Sequence, residues 1–243
     1  MGGENLIFIF EILKKLFFIF IIISAFICQS QNPYTRAKYY FSKNDIESAL
    51  ASLDSCSSVK ELADSALYFK AYLAIKNNHL EDAQNYCHEL HKRNKDYHEV
   101  WFLKGLISSL KQRHALAAEQ FTKILNYEPH HLKALYNRSL SKAMLEDVEG
   151  AISDLNQCIK LDSNYINAYY SRAYWLETLE NHESAINDYQ KTIALDKNFN
   201  EAYLGLAYAF NKKGDKQKAC ETLQQAIDKG VTVAHDLKEN FCK

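Results

Sequence analysis

Glycine and proline are scarce in this chain of 243 residues, which has 7 Gly and 2 Pro where average usage gives about 17 and about 12. Sandwiches, barrels and doubly wound sheets need many tight turns, and turns draw on these two residues for positive or preset φ. The shortage points to an all-α chain. An excess of charge of one sign is also missing: 29 Lys and Arg stand against 30 Asp and Glu, a net charge of −1. That balance gives no electrostatic footprint for nucleic acid or for an anionic lipid surface. Neither G-x-G-x-x-G nor G-K-[ST] occurs, and G-x-S-x-G and H-E-x-x-H are equally absent, so nucleotide, acyl-transfer and zinc-protease chemistry have no motif to rest on. The carboxylates show no spacing that separates a catalytic pair from a solvated helix face. No catalytic residue and no cofactor are expected. What is present is ordinary globular material, 47% hydrophobic and 24% charged, enough to build a sizeable core and too apolar for a disordered chain.

The first thirty residues differ from the rest. Lys14 and Lys15 precede the run Leu16 to Ile27, whose only polar member is Ser24. Twelve helical residues span roughly 18 Å at the usual rise, short of the roughly 30 Å of hydrocarbon a spanning helix must cross. Extending the run back to Leu6 brings in Glu11, Lys14 and Lys15, each unfavourable in a membrane. Residues 1–30 therefore read as a signal peptide, with Cys28 and Ser30 as the small residues before a cut at Gln31. An uncleaved N-terminal anchor and lipidation at Cys28 are the alternatives, and bulky Phe26 and Ile27 weigh against lipidation. The expected location is exported, periplasmic or associated with the cell envelope, with membrane contact only through the N-terminal segment if it is retained.

A period of 34 residues governs the remainder. Ala49, Ala83, Ala117, Ala151, Ala185 and Ala219 recur at that spacing without an insertion, and twelve residues before each lies Ala37, Ala71, Gly105, Ser139, Ala173 or Ala207. Small side chains at two such places let two antiparallel helices approach closely. Four residues after each repeated Ala, on the same helix face, stand Leu53, Cys87, Phe121, Leu155, Tyr189 and Leu223, the expected core. Asp45, Asp147, Asn181 and Asp215 lie four residues before their Ala, where an N-cap would accept from the free amides of a second helix. Glu128-Pro129, Leu161 to Asn164 and Leu195 to Asn198 read as the breaks between one hairpin and the next. Internal repetition at such a period is the mark of a solenoid, in which each unit buries its faces only against neighbours.

These features resemble the tetratricopeptide repeat (TPR) family, whose 34-residue unit carries an aromatic at position 4, small residues at 8 and 20, an aromatic or Leu at 24 and Pro at 32. The copy starting at His98 matches best, through Trp101, Gly105, Ala117, Phe121 and Pro129. The resemblance implies a right-handed α-solenoid of about six helix-turn-helix units, 30–63, 64–97, 98–131, 132–165, 166–199 and 200–233. A capping helix within 234–243 completes it, in one TPR domain over residues 31–243. Ser57-Ser58 stands where the first unit needs a helix end, making that unit the weakest. Gly230 is expected to close the last repeat helix, and Val233 to Cys242 to cover the exposed end. The segment from Gly214 onward looks like the close of many small exported bacterial TPR proteins.

Six cysteines are present, and removal of Cys28 with the signal would leave an odd number, which forbids complete pairing. Cys56, Cys87 and Cys158 fall at inward positions and read as small buried hydrophobes. Cys220 and Cys242 lie eleven residues either side of residue 231, the expected final turn, so an antiparallel hairpin brings them level and a Cys220–Cys242 disulfide is expected. Cys87, His88 and His91, and the pair His130-His131, could suggest a metal. The core direction of Cys87 and the turn position of the histidine pair argue against one, and no metal site is expected. The sequon at Asn137 falls inside an expected packed helix.

What remains is a surface. In the TPR fold the first helix of each pair lines a concave groove, mainly through positions 2, 5, 9 and 12. Positions 5 and 9 supply Tyr68, Tyr72, Phe102, Leu106, Tyr136, Tyr170, Tyr174 and Tyr208 as the candidate partner-binding residues. Tyrosine combines a rigid apolar body with a hydrogen-bonding tip, a frequent interface anchor. Packing between adjacent first helices is the competing role for the position-5 aromatics. The Lys, Arg and Asn clamp with which chaperone-tail binders hold a terminal carboxylate is missing, with Lys38 and Lys133 isolated. An acidic C-terminal peptide is therefore disfavoured against a partner with apolar and aromatic anchors. The function expected is a non-catalytic scaffold or adaptor binding a protein or peptide of unknown identity. A glycan-binding module using Asn167, Glu177 and Asn211 beside the tyrosines, and a self-associating structural protein, are the alternatives.

Overall fold

A computed structural model of the chain describes residues 32–58 and 60–242. The expected signal segment, residues 1–30, lies outside them. Thirteen α-helices and no strand occur among the described residues. They are α1 (Pro33–Ser42), α2 (Ile46–Asp54), α3 (Lys60–Lys76), α4 (Leu80–Arg93), α5 (Val100–Leu110), α6 (His114–Tyr127), α7 (Leu132–Ala143), α8 (Val148–Leu161), α9 (Ile166–Thr178), α10 (His182–Leu195), α11 (Asn200–Lys212), α12 (Lys216–Asp228) and α13 (Val233–Phe241). The first twelve form six consecutive hairpins in the 34-residue register, and the fold is an α-solenoid with α13 as its C-terminal cap. No described helix is long and apolar enough to cross a membrane. The chain divides within α5 into two compact units, up to Leu103 and from Lys104.

The hairpin follows from its small residues. All six repeated alanines of the second helices are fully buried, as are Ala37, Ala71, Ser139, Ala173 and Ala207 of the first helices. In the third hairpin the corresponding residue is Gly105, and the reason is its neighbour: a Cβ there would stand 2.4 Å from the ring of Phe121.

Each turn is built by one device used six times. The residue at repeat position 15 (Asn44, Asn78, Gln112, Glu146, Glu180 or Gly214) has φ between 56° and 87°, the left-handed conformation that ends a helix in a Schellman motif. In the fifth hairpin Glu180 N–H donates to Glu177 O and Asn181 N–H to Leu176 O, both at 2.9 Å. The next residue then starts the second helix. Asp45, Asp147, Asn181 and Asp215 accept from the amides of Ser48, Gly150, Ser184 and Lys218, so four orphan helix ends are capped as their spacing implied.

In the unit up to Leu103, α2 ends at Asp54 and gives way to a 3-10 turn over Ser55–Ser58, which is how the chain resolves the Ser57-Ser58 break. The core there gathers Ala37, Leu53, Cys56, Phe69 and Leu73. In the unit from Lys104, one core cluster centres on Tyr189, Leu206 and Phe210 and another on Tyr203, Leu223, Ala226 and Ala234. The second cluster is where the cap docks, with Leu237 and Phe241 packed against it. Cys220 of α12 and Cys242 after α13 are joined by a disulfide, their Cα atoms 5.9 Å apart. Cys56, Cys87 and Cys158 are buried and take part in no disulfide.

Candidate protein-binding site

The position-5 aromatics are held by packing. Tyr34 meets Phe69 edge-on at 6.0 Å, Tyr68 lies 5.9 Å from Tyr97, Tyr136 lies 5.4 Å from Tyr165, and Tyr170 lies 4.8 Å from Phe199. In the last three pairs the partner is the final residue of the same 34-residue unit, so the ring closes the hairpin it belongs to. Burial pushes the Tyr97 and Tyr165 phenols up to about 12 and raises those of Tyr68 and Tyr170 as well. Tyr136 also brings its hydroxyl within 3.3 Å of Ser171 Oγ. Phe102 is 5% exposed and offers almost no ring to a partner.

Position 9 is different. Tyr174 and Tyr208 are 50% and 44% exposed, with Tyr174 steadied by edge-on contact with Trp175 at 4.8 Å and Tyr208 near Phe241 at 6.5 Å. Tyr72 is half-buried against Phe41 and Phe69, and Leu106 is half-buried as well.

In the unit from Lys104, Tyr170, Tyr174 and Tyr208 line one cavity of about 540 Å³, together with Leu204, Tyr189, Gly205, Glu177, Thr178, Glu201 and Leu237. Its size falls in the range of ligand-binding clefts. Helices α9, α10 and α11 form the walls and the cap contributes Leu237. Gly205 is required at the floor, since a Cβ there would stand 2.4 Å from the Tyr189 ring. Tyr136 and Leu106 do not line this cavity. Tyr68, Tyr72 and Phe102 belong to the unit that ends at Leu103.

Spacing arguments missed a pair of ion clusters in the unit from Lys104. Arg138 grips Asp154 with two bonds of 2.8 Å, and Arg172 grips Asp188 at 2.6 and 2.7 Å. Each Arg reaches with its third nitrogen to the preceding second helix, Arg138 to Thr122 and Arg172 to Asn156. Asp154 is 1% exposed and also meets Lys142 at 3.0 Å. The signal was an Arg and an Asp sixteen residues apart, repeated after 34. A depression of about 360 Å³ touches Arg172, Asp188 and Asn156, but those groups already satisfy one another.

Known proteins share this organisation. Tetratricopeptide repeat profiles match residues 68–125, 132–165, 166–199 and 201–229, together more than half of the chain. Among solved structures, YrrB, described as a TPR protein with an unusual peptide-binding site, superposes with a TM-score of 0.66 at 18% identity, covering 77% of this chain and 97% of its own. The MamA protein gives 0.63 at 21%, covering 70% and 92%. A tetratricopeptide repeat protein from Parabacteroides merdae gives 0.64 at 16%, covering 81% and 78%. The FK506-binding protein-like protein of Mus musculus is 43% identical over 47 residues, 19% of this chain and 14% of that protein. The chain thus spans about one seventh of the length of the curated relatives it matches. Repeats of this kind serve in general as scaffolds for protein interaction, and the chain belongs to the tetratricopeptide repeat family.

Proposed function

We propose that this protein binds a segment of another protein, with the cavity of Tyr170, Tyr174, Leu204 and Tyr208 as the principal anchor site. The observation that carries this reading is the division of labour among the aromatics. Tyr68, Phe102 and Tyr136 are taken up by packing away from this cavity, whereas Tyr174 and Tyr208 stand about half exposed over about 540 Å³ of space that Tyr170 and Leu204 also line. Large half-exposed aromatics at the mouth of a cleft are the composition of interface hot spots. A crosslinking pull-down from the native source tests it, comparing the wild type with Tyr174→Ala/Tyr208→Ala. These changes leave the repeated alanines and the hairpin seams alone. Loss of one defined protein from a variant with unchanged helicity is expected. Recovery of the same proteins by both would move the binding face elsewhere, and concentration-dependent self-association would point to a second copy as the occupant.

Export to an oxidising compartment is part of the proposal. The basic and apolar pattern of residues 14–30 supports it, and so does the Cys220–Cys242 disulfide, since such bonds persist outside reducing cytosol. N-terminal sequencing of protein from its native source should begin at Gln31; a start at Met1 would replace cleavage with a retained anchor.

A further inference from the structure

The cavity has a polar element that a purely apolar anchor would leave unused. Glu177 lines it with a side chain that is 9% exposed. Its Oε1 is hydrogen bonded to His182 Nδ1 at 2.7 Å, while its Oε2 is buried with no hydrogen-bond partner. Such an oxygen carries a desolvation cost that a donor reaching it would relieve. Glu201 adds a second carboxylate to the lining and is exposed. Among the described residues neither carboxylate is ion-paired to a lysine or arginine. The rings around them suit a positive charge, because the faces of aromatic rings attract cations. Tyr208 already has Lys212 Nζ 5.2 Å from its centroid. The phenols register the same field: burial and then the Glu201 charge raise Tyr170, and burial, Tyr170 and the Glu177 charge raise Tyr189.

We propose that this cavity takes a protonated basic side chain, Lys or Arg, from the bound segment of the partner protein. The charged head donates to the Glu177 carboxylate, which must turn to present its buried Oε2 to the cavity, within the field of Glu201, and the aliphatic stem lies along Tyr174 and Tyr208, as long basic side chains do on apolar walls. The inference rests on reading the cavity as a protein-binding site and adds the chemistry of the anchor. Charge complementarity selects this occupant: a carboxylate or phosphate would face two glutamates that no lysine or arginine pairs, and an aliphatic anchor would leave Glu177 Oε2 without a donor.

The test uses the full chain, a library of random dodecapeptides displayed on phage, and four immobilised proteins: wild type, Glu177→Gln, Glu201→Gln and Tyr174→Ala/Tyr208→Ala. Circular dichroism establishes that each is folded, and Glu201→Gln, at an exposed position, keeps the test valid if loss of the His182 partner unsettles Glu177→Gln. Wild type is expected to select peptides enriched in Lys or Arg beside apolar residues. A selected peptide should bind the wild type at least about tenfold more tightly than either Gln variant. Replacing its basic residue by norleucine should cost a similar factor on the wild type and little on the variants. Peptides that depend on the tyrosines, carry no basic enrichment and bind both Gln variants equally would overturn the cationic anchor and leave the binding site standing. Failure of the wild type to select any tyrosine-dependent peptide would overturn both.

Discussion

Glu180 holds a left-handed backbone, φ 57°, as do Asn44, Asn78, Gln112 and Glu146 at the same place in their hairpins. A side chain with a Cβ resists that conformation, by about 1 kcal/mol or more for residues other than Asn and Gly. Only the sixth hairpin has the relaxed solution, Gly214, where a Cβ would meet nothing within 4 Å. Glu180→Gly is therefore expected to raise the free energy of unfolding, by about 0.5–1 kcal/mol after the added freedom of the unfolded chain is subtracted. Gly214→Ala should lower it by a comparable amount. Denaturant midpoints of the two variants check both signs, and a destabilised Glu180→Gly would show that its side chain does more than tolerate the turn. The same position explains a gap in what the sequence revealed. Two Asn, a Gln, two Glu and a Gly share no chemistry, so no pattern marked the site; the conformation comes from the double hydrogen bond closing the helix. The small residues at positions 8 and 20 were legible because close helix approach admits so few side chains.

At the level of elements, the cap is the part whose attachment is covalent. Helix α13 has nine residues, too few to persist alone, and it holds its place through Ala234, Leu237 and Phe241 and the Cys220–Cys242 bond. The sulfur pair was legible because two cysteines equidistant from a turn must meet in an antiparallel hairpin. The contribution of Leu237 to the cavity wall was not, since it depends on the angle at which α13 crosses. Replacing both cysteines by Ser should cost about 3 kcal/mol, the loop-closure value for a separation of 22 residues. Free α13 would also loosen the wall beside Tyr208. Denaturant unfolding of the oxidised protein and the double Ser variant measures the first effect. A cost under about 1 kcal/mol would mean that packing alone seats the cap. The Arg138–Asp154 and Arg172–Asp188 clusters act on the same scale, tying a first helix to its own hairpin and to the helix before it. Each sits where the sequence offered only another charged helix face.

Across the whole molecule the notable electrostatic fact is how many weak acids are kept neutral. The net charge is only −1, yet the seams are lined with phenols and thiols whose ionised forms are disfavoured. Burial pushes Tyr97, Tyr165 and the Cys158 thiol up to about 12, and raises Tyr34, Tyr170 and Cys56 as well. For an acid whose folded value lies above its unfolded one, the folded state binds more protons between the two values, so stability falls as pH rises through that window. The unfolded values are near 9 for the thiol and 10 for the phenols. Stability is therefore expected to hold up to about pH 9 and to decline steadily from there toward pH 12, with no matching loss just below neutrality from these groups. Guanidinium unfolding midpoints at pH 8, 10 and 11 measure the decline. Tyr165→Phe makes it specific, because Phe keeps the ring against Tyr136 and removes the titrating hydroxyl. Its midpoint should fall less between pH 8 and pH 11 than that of the wild type. Parallel declines in the two proteins would assign the alkaline sensitivity to groups other than Tyr165.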